Sequence, residues 1–132
     1  MTEDQHEALV AVEPGWFPNG GYFACREGWF ELLLGLLQSL KAAGASAENM
    51  KVVQVKEKFG TLRFYVSLET EDDALRDRLY GIIAKAEAAS ESICEDCGGG
   101  PTERKGTKPR SWIRVLCAEC RAAEAKALGI AP

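Results

Sequence analysis

Two CxxC pairs constrain this chain more than any other feature of it. Cys94 and Cys97 are followed, after nineteen intervening residues, by Cys117 and Cys120. That spacing falls within the window of a four-cysteine zinc site. Two cysteines separated by two residues can turn toward one ion on a tight knuckle, and the knuckle's backbone amides can then donate to the sulfurs. Gly98 and Gly99 stand where such a turn benefits from residues without a Cβ. The second pair is expected at the start of a helix, completing a tetrahedron. Disulfides or a redox pair explain the pattern less well, because a redox CxxC needs no second pair and neither pair sits in a βαβ context. Four thiolates fill the coordination sphere of Zn²⁺, so the expected ion is single and structural, with no position left for water or substrate.

The metal matters because the segment around it has little else to hold it. Composition changes near Ser92, and residues 93–132 contain few large apolar side chains, chiefly Ile93, Trp112, Ile113, Val115 and Leu116. A small zinc module can draw on the order of 10 kcal/mol of apparent folding energy from its ion. Ala118 to Leu128 reads as a short helix stopped by Gly129.

Upstream, the pattern is that of a small α+β domain, residues 26–92, in the order helix, strand, strand, helix. Phe30, Leu33, Leu34, Leu37 and Leu40 repeat at helical spacing between Glu27 and Ala43, with Gly44 as the stop. Lys51 to Lys58 and Thr61 to Leu68 alternate as strands around a Phe59-Gly60 turn, forming an antiparallel hairpin whose apolar face holds Leu62, Phe64 and Val66. A second helix is expected over Glu71 to Ser90, capped by Thr70, with Leu75, Leu79, Ile82, Ile83 and Ala86 facing inward. The hairpin's edge is expected to be open to a partner strand or to a second copy of the chain. Residues 1–25, with Pro14-Gly15 and Gly20-Gly21, read as an irregular segment whose aromatics Trp16, Phe17, Tyr22 and Phe23 fold back over the core.

Charge is unevenly distributed. The chain of 132 residues has a formal net charge of −4, which disfavours whole-molecule attraction to nucleic acid or anionic membrane. Between the cysteine pairs, however, lie Arg104, Lys105, Lys108, Arg110 and Arg114 against the single acid Glu103, with Trp112 among them. A basic surface with an aromatic ring can contact phosphates and stack bases. The same cations can instead offset a zinc–thiolate site of net −2, or dock an acidic protein, while Trp112 packs the small module.

Catalytic machinery is not evident, and the protein is expected not to be an enzyme. The one histidine, His6, falls in a segment expected to be disordered, and neither a Walker motif nor a GxGxxG turn occurs. Cys25 reads as a partly buried free thiol, the alternative being a thiol activated by the adjacent Arg26. The acidic amino terminus lacks a secretory signal and the longest apolar run, Leu32 to Leu37, is too short to span a bilayer, so a cytoplasmic location without membrane contact is expected.

Three stretches together carry a resemblance. They are Val55 to Val66 (VKEKFGTLRFYV), Cys94-Glu95-Asp96-Cys97-Gly98, and Trp112 to Cys120 (WIRVLCAEC). The combination resembles a family of small, poorly characterised proteins of bacteriophages and prophages with a C-terminal four-cysteine zinc-ribbon-like module. The resemblance implies an accessory protein in the cytoplasm of a bacterial host cell. It would act by binding and blocking a host protein, inhibition of a defence system such as CRISPR being one such role. The alternative is a regulatory zinc ribbon that binds nucleic acid through Arg104, Lys105, Lys108, Arg110, Trp112 and Arg114.

Overall fold

Alternation of apolar and polar side chains sets the central hairpin. In the computed structural model, which describes residues 1–107 and 112–129, strands β2 (Met50–Lys58) and β3 (Thr61–Leu68) pair antiparallel. Val55 lies opposite Phe64, and Glu57 opposite Leu62. Val55, Leu62 and Phe64 are buried on one face. The turn residues Phe59 and Gly60 both take positive φ, 56° and 73°, the handedness that matches strand twist in a two-residue hairpin turn. A Cβ on Gly60 would also fall 2.6 Å from Cγ of Arg104, so the turn can pack this closely only as glycine. β1 (Phe23–Ala24) adds a short parallel strand alongside Val55 and Lys56 of β2.

Two helices cover the apolar face. A 3₁₀ turn at Glu27–Trp29 leads into α2 (Phe30–Ala42), which buries Leu33, Leu36, Leu37 and Leu40. α3 (Asp73–Ser90) buries Leu79, Ile83 and Ala86. The expected Thr70 cap is corrected: Asp72 is the N-cap and accepts from the Leu75 amide at 3.1 Å, while Thr70 Oγ1 accepts from the Asp72 amide. A carboxylate two residues nearer the helix outcompetes the hydroxyl for the first-turn amide. The other end of α3 reaches the sheet, where Ser90 Oγ and Glu87 Oε2 accept from the Leu62 and Phe64 amides, each at 2.9 Å. The expected open edge of the hairpin is thus occupied in part on both sides, by these α3 side chains on β3 and by β1 on β2.

The amino-terminal segment differs most from expectation. Residues 12–22 are the turns and loop expected, but residues 3–11 are not irregular: α1 (Glu3–Ala11) opens with a capping box in which Thr2 accepts from the Gln5 amide and Gln5 accepts from the Thr2 amide. Thr2-x-x-Gln5 is a sequence signature of a helix start, and the Pro-Gly punctuation downstream masked it. Leu9 anchors this helix in the core. His6 is correspondingly ordered, with Nε2 2.8 Å from the Gly20 carbonyl and its ring edge-on to Phe23. Trp16, Phe17 and Phe23 fold back into the core as expected, but Tyr22 is 78% exposed.

The C-terminal segment forms a two-stranded antiparallel ribbon, β4 (Thr102–Thr107) and β5 (Trp112–Cys117), followed by α4 (Ala118–Leu128), which ends at Gly129 with φ of 69°. The α+β architecture with a zinc-ribbon-like four-cysteine module therefore holds. The ribbon also shares the main core, since Val115 of β5 belongs to the same apolar cluster as Leu37 and Leu79.

Candidate metal centre

The knuckle between α3 and β4 is built by short-range backbone bonding. The Cys94 amide donates to the Gly99 carbonyl at 2.9 Å, and the Gly98 amide to the Cys94 carbonyl at 2.8 Å. Gly98 takes φ of 79° to close this loop. The Gly99 amide then donates to Cys97 Sγ at 3.4 Å. The second pair uses the helix start instead: Cys117 is the N-cap of α4, and its sulfur accepts from the Cys120 amide at 3.4 Å. Backbone N–H groups aimed at sulfur stabilise thiolate, which is the form a metal binds.

All four Sγ atoms lie within 4.8 Å of one another. Cys97 and Cys117 are 3.8 Å apart, and a tetrahedron of Zn–S bonds of about 2.3 Å has edges of about 3.8 Å. The donor set and spacing fit a tetrahedral metal ion held by Cys94, Cys97, Cys117 and Cys120. Electrostatics point the same way. Burial raises the Cys94 thiol, but amides of Cys117, Cys97 and Asp96 directed at it outweigh burial and bring it down to about 7. Cys120 moves upward, through burial first and then through its three neighbouring sulfurs. Two like charges 4 Å apart repel by about 4 kcal/mol at an effective dielectric of 20. Four thiolates can therefore coexist here only around a cation.

The sequence offered no signal for the residues that tie this centre to the helical lobe. Glu95, inside the first CxxC, is 1% exposed. Its Oε2 accepts from the Arg26 amide at 3.1 Å, and its Oε1 from Arg114 at 3.2 Å. Burial raises its pKa above the ordinary carboxylate value, against the lowering pull of Arg114. The Arg26 guanidinium bridges Asp96 and Glu124, each at 2.8 Å. Gly28 lies flush on the knuckle: its amide donates to the Glu95 carbonyl at 2.7 Å, and a Cβ there would be 2.1 Å from the Cys94 carbonyl oxygen. Arg121 is buried and donates to the carbonyls of Glu103, Lys105 and Arg114, pinning both ribbon strands to α4. An acid between two cysteines and an arginine just after one look like surface residues in sequence, and only their distant partners reveal otherwise.

The expected basic surface is partly dispersed by these contacts. Arg114 turns inward to Glu95. Arg104 binds Thr61 Oγ1 at 2.9 Å and Glu91 at 3.1 Å. Lys105 pairs with Glu103 on the surface. Lys108 and Arg110 lie outside the described residues, as does the side chain of Trp112. Cys25 is not activated. Burial, then the charges of Glu95 and Glu57, push its thiol up to about 12, and the adjacent Arg26 guanidinium is engaged by Asp96 and Glu124.

No protein-family model matches the chain, and neither a curated protein nor a solved structure matches it. No helix among the described residues is long and apolar enough to cross a membrane.

Proposed function

We propose that this chain is a non-enzymatic binding protein whose C-terminal third is scaffolded by one structural zinc ion. The observation that carries this reading is the closed set of four sulfurs, all within 4.8 Å of one another. Thiolate ligands favour zinc among the common divalent ions, and four of them leave no open coordination position for substrate. The resemblance of the hairpin and cysteine motifs supports an accessory role of phage or prophage type in a bacterial cytoplasm. There the chain would bind and block a host component such as a protein of a defence system. The nucleic-acid reading through the β4–β5 loop is less supported at Arg114, which is turned inward onto Glu95, than at Arg104, whose pair with Glu91 is on the surface.

Elemental analysis of the purified chain tests the scaffold. One zinc per chain is expected, with loss of protease resistance beyond residue 92 on chelation. Metal-free protein with the same resistance would overturn it. For the blocking role, zinc-loaded protein should retain one host component stoichiometrically and release it on chelation.

A further inference from the structure

The outward face of the β2–β3 hairpin carries charges and rings that neither the core nor the metal centre uses. Because Val55 and Phe64 point together into the core, the alternate row points away from the helices: Lys51, Lys56 and Lys58 on β2, Arg63 and Tyr65 on β3. The hairpin's one acid, Glu57, is not in this row. It pairs in register with buried Leu62, and its Oε2 accepts from the Gly60 amide at 2.8 Å. Within β2 and β3, the outward row of this acidic protein thus carries four cations and no carboxylate.

Two features of that face work against stability. Lys56 and Arg63 sit directly opposite each other, and like charges in a cross-strand pair are destabilising. Among the described residues no ion pair offsets either of them, and Arg63 Nε is buried without a hydrogen-bond partner. Phe59 is 59% exposed at the turn with a φ of 56°, a conformation that bulky residues rarely adopt. Local conflicts of this kind concentrate where function outweighs stability. The rings and cations are also matched: Lys56 Nζ lies 5.9 Å from the Tyr65 ring centre, and Lys58 Nζ lies 5.5 Å from that of Phe59.

We propose that this face binds single-stranded nucleic acid, with Lys56, Lys58 and Arg63 on phosphates and Tyr65 and Phe59 stacked on bases. The unopposed cations call for a polyanion, and the exposed rings beside them call for flat apolar groups spaced among its charges. An acidic peptide would satisfy the cations and leave the rings unused. A duplex keeps its base faces stacked on one another. The acidic remainder of the molecule repels a polyanion and confines contact to this side. The inference goes beyond the scaffold reading, and its failure would leave zinc stoichiometry untouched.

Fluorescence anisotropy with zinc-loaded full-length protein tests it, using labelled mixed-sequence RNA and DNA strands of about 12 nucleotides. Three phosphate contacts predict that log affinity falls with log salt at a slope of about −2. The double variant K56Q/R63Q should bind at least about tenfold more weakly with a shallower slope. Its melting temperature should be unchanged or higher, since the like-charge pair is gone. Tyr65→Ala should weaken binding roughly 5- to 100-fold, and Lys105→Gln should leave it unchanged. The proposal is overturned by absence of single-strand binding at about 50 mM salt, by full affinity in K56Q/R63Q, or by preference for duplex. Poly-glutamate binding as tightly as the strands would also overturn it and reassign the face to an acidic protein.

Discussion

Around the hairpin, order comes from side chains that only need to be apolar and well fitted: Leu33 and Leu37 of α2, Leu79 of α3 and Phe64 of β3 meet in one cluster. Around the four cysteines it comes from directional groups, namely sulfurs converging on a point, Arg121 on three carbonyls, and Glu95 between Arg114 and the Arg26 amide. Apolar burial is graded, roughly proportional to area, and survives the loss of one member. A metal cluster is closer to all-or-none, because four sulfurs that lose their cation are left crowded against one another. The two regions should therefore respond to different insults. They meet where the knuckle rests on Gly28 and where Val115 enters the core.

The largest separation of the two should follow from removing the metal. Chelation, or Cys97→Ser, should cost the C-terminal segment on the order of 10 kcal/mol of apparent stabilisation. Hydrogen exchange should then accelerate across β4, β5 and α4 while α2 and α3 stay protected. Simultaneous loss of protection in both regions would show that Val115 and the Glu95 clasp make them one cooperative unit. Leu37→Ala, at a fully buried position, should destabilise the helical lobe by about 2–5 kcal/mol. The variant should still bind one metal per chain by titration, and loss of that stoichiometry would break the contrast from the other side.

The seam can be opened directly. Gly28→Ala places a methyl group within 2.1 Å of the Cys94 carbonyl oxygen, and overpacking of this kind costs about 1–3 kcal/mol. Calorimetry should resolve two transitions in place of one.

The smallest effect is expected from Glu95→Gln. Burial raises the Glu95 pKa above its ordinary value of 4.5, so the folded state holds this proton at a pH where the unfolded chain has released it. Its contribution to stability is therefore full below that ordinary value and is lost as pH rises through the raised one. The glutamine is neutral throughout and should abolish this slope, with a change in stability at pH 7 of about 1 kcal/mol or less. A pH profile identical in both proteins would show that the Glu95 carboxylate is not what titrates.

Residues whose partners are close in sequence were legible from the start. The leucine spacing of α2, the Phe59-Gly60 turn and the paired cysteines each encode their own geometry. α1 was equally local and was legible in Thr2 and Gln5, but the glycines and prolines after it drew the segment toward loop. The metal ligands could be named because two residues between cysteines is a geometric instruction. Glu95 and Arg121 could not, since nothing in their neighbourhoods distinguishes them from solvated charges.

The amino-acid order alone determined the helices, the hairpin and its inward face, and the four ligands, because periodicity and short-range spacing act within a few residues of chain. Tertiary structure decided which charges became internal. Arg26 meets Glu95 across 69 positions of sequence and Glu124 across 98, and Arg104 meets Thr61 across 43. It thereby turned Arg114 of the basic loop inward onto Glu95, held Arg104 in a surface pair with Glu91, and left Lys56 and Arg63 half-buried and side by side on the hairpin's outward row. A charge is buried or displayed according to what folds against it, and that partner lies beyond the reach of any local pattern.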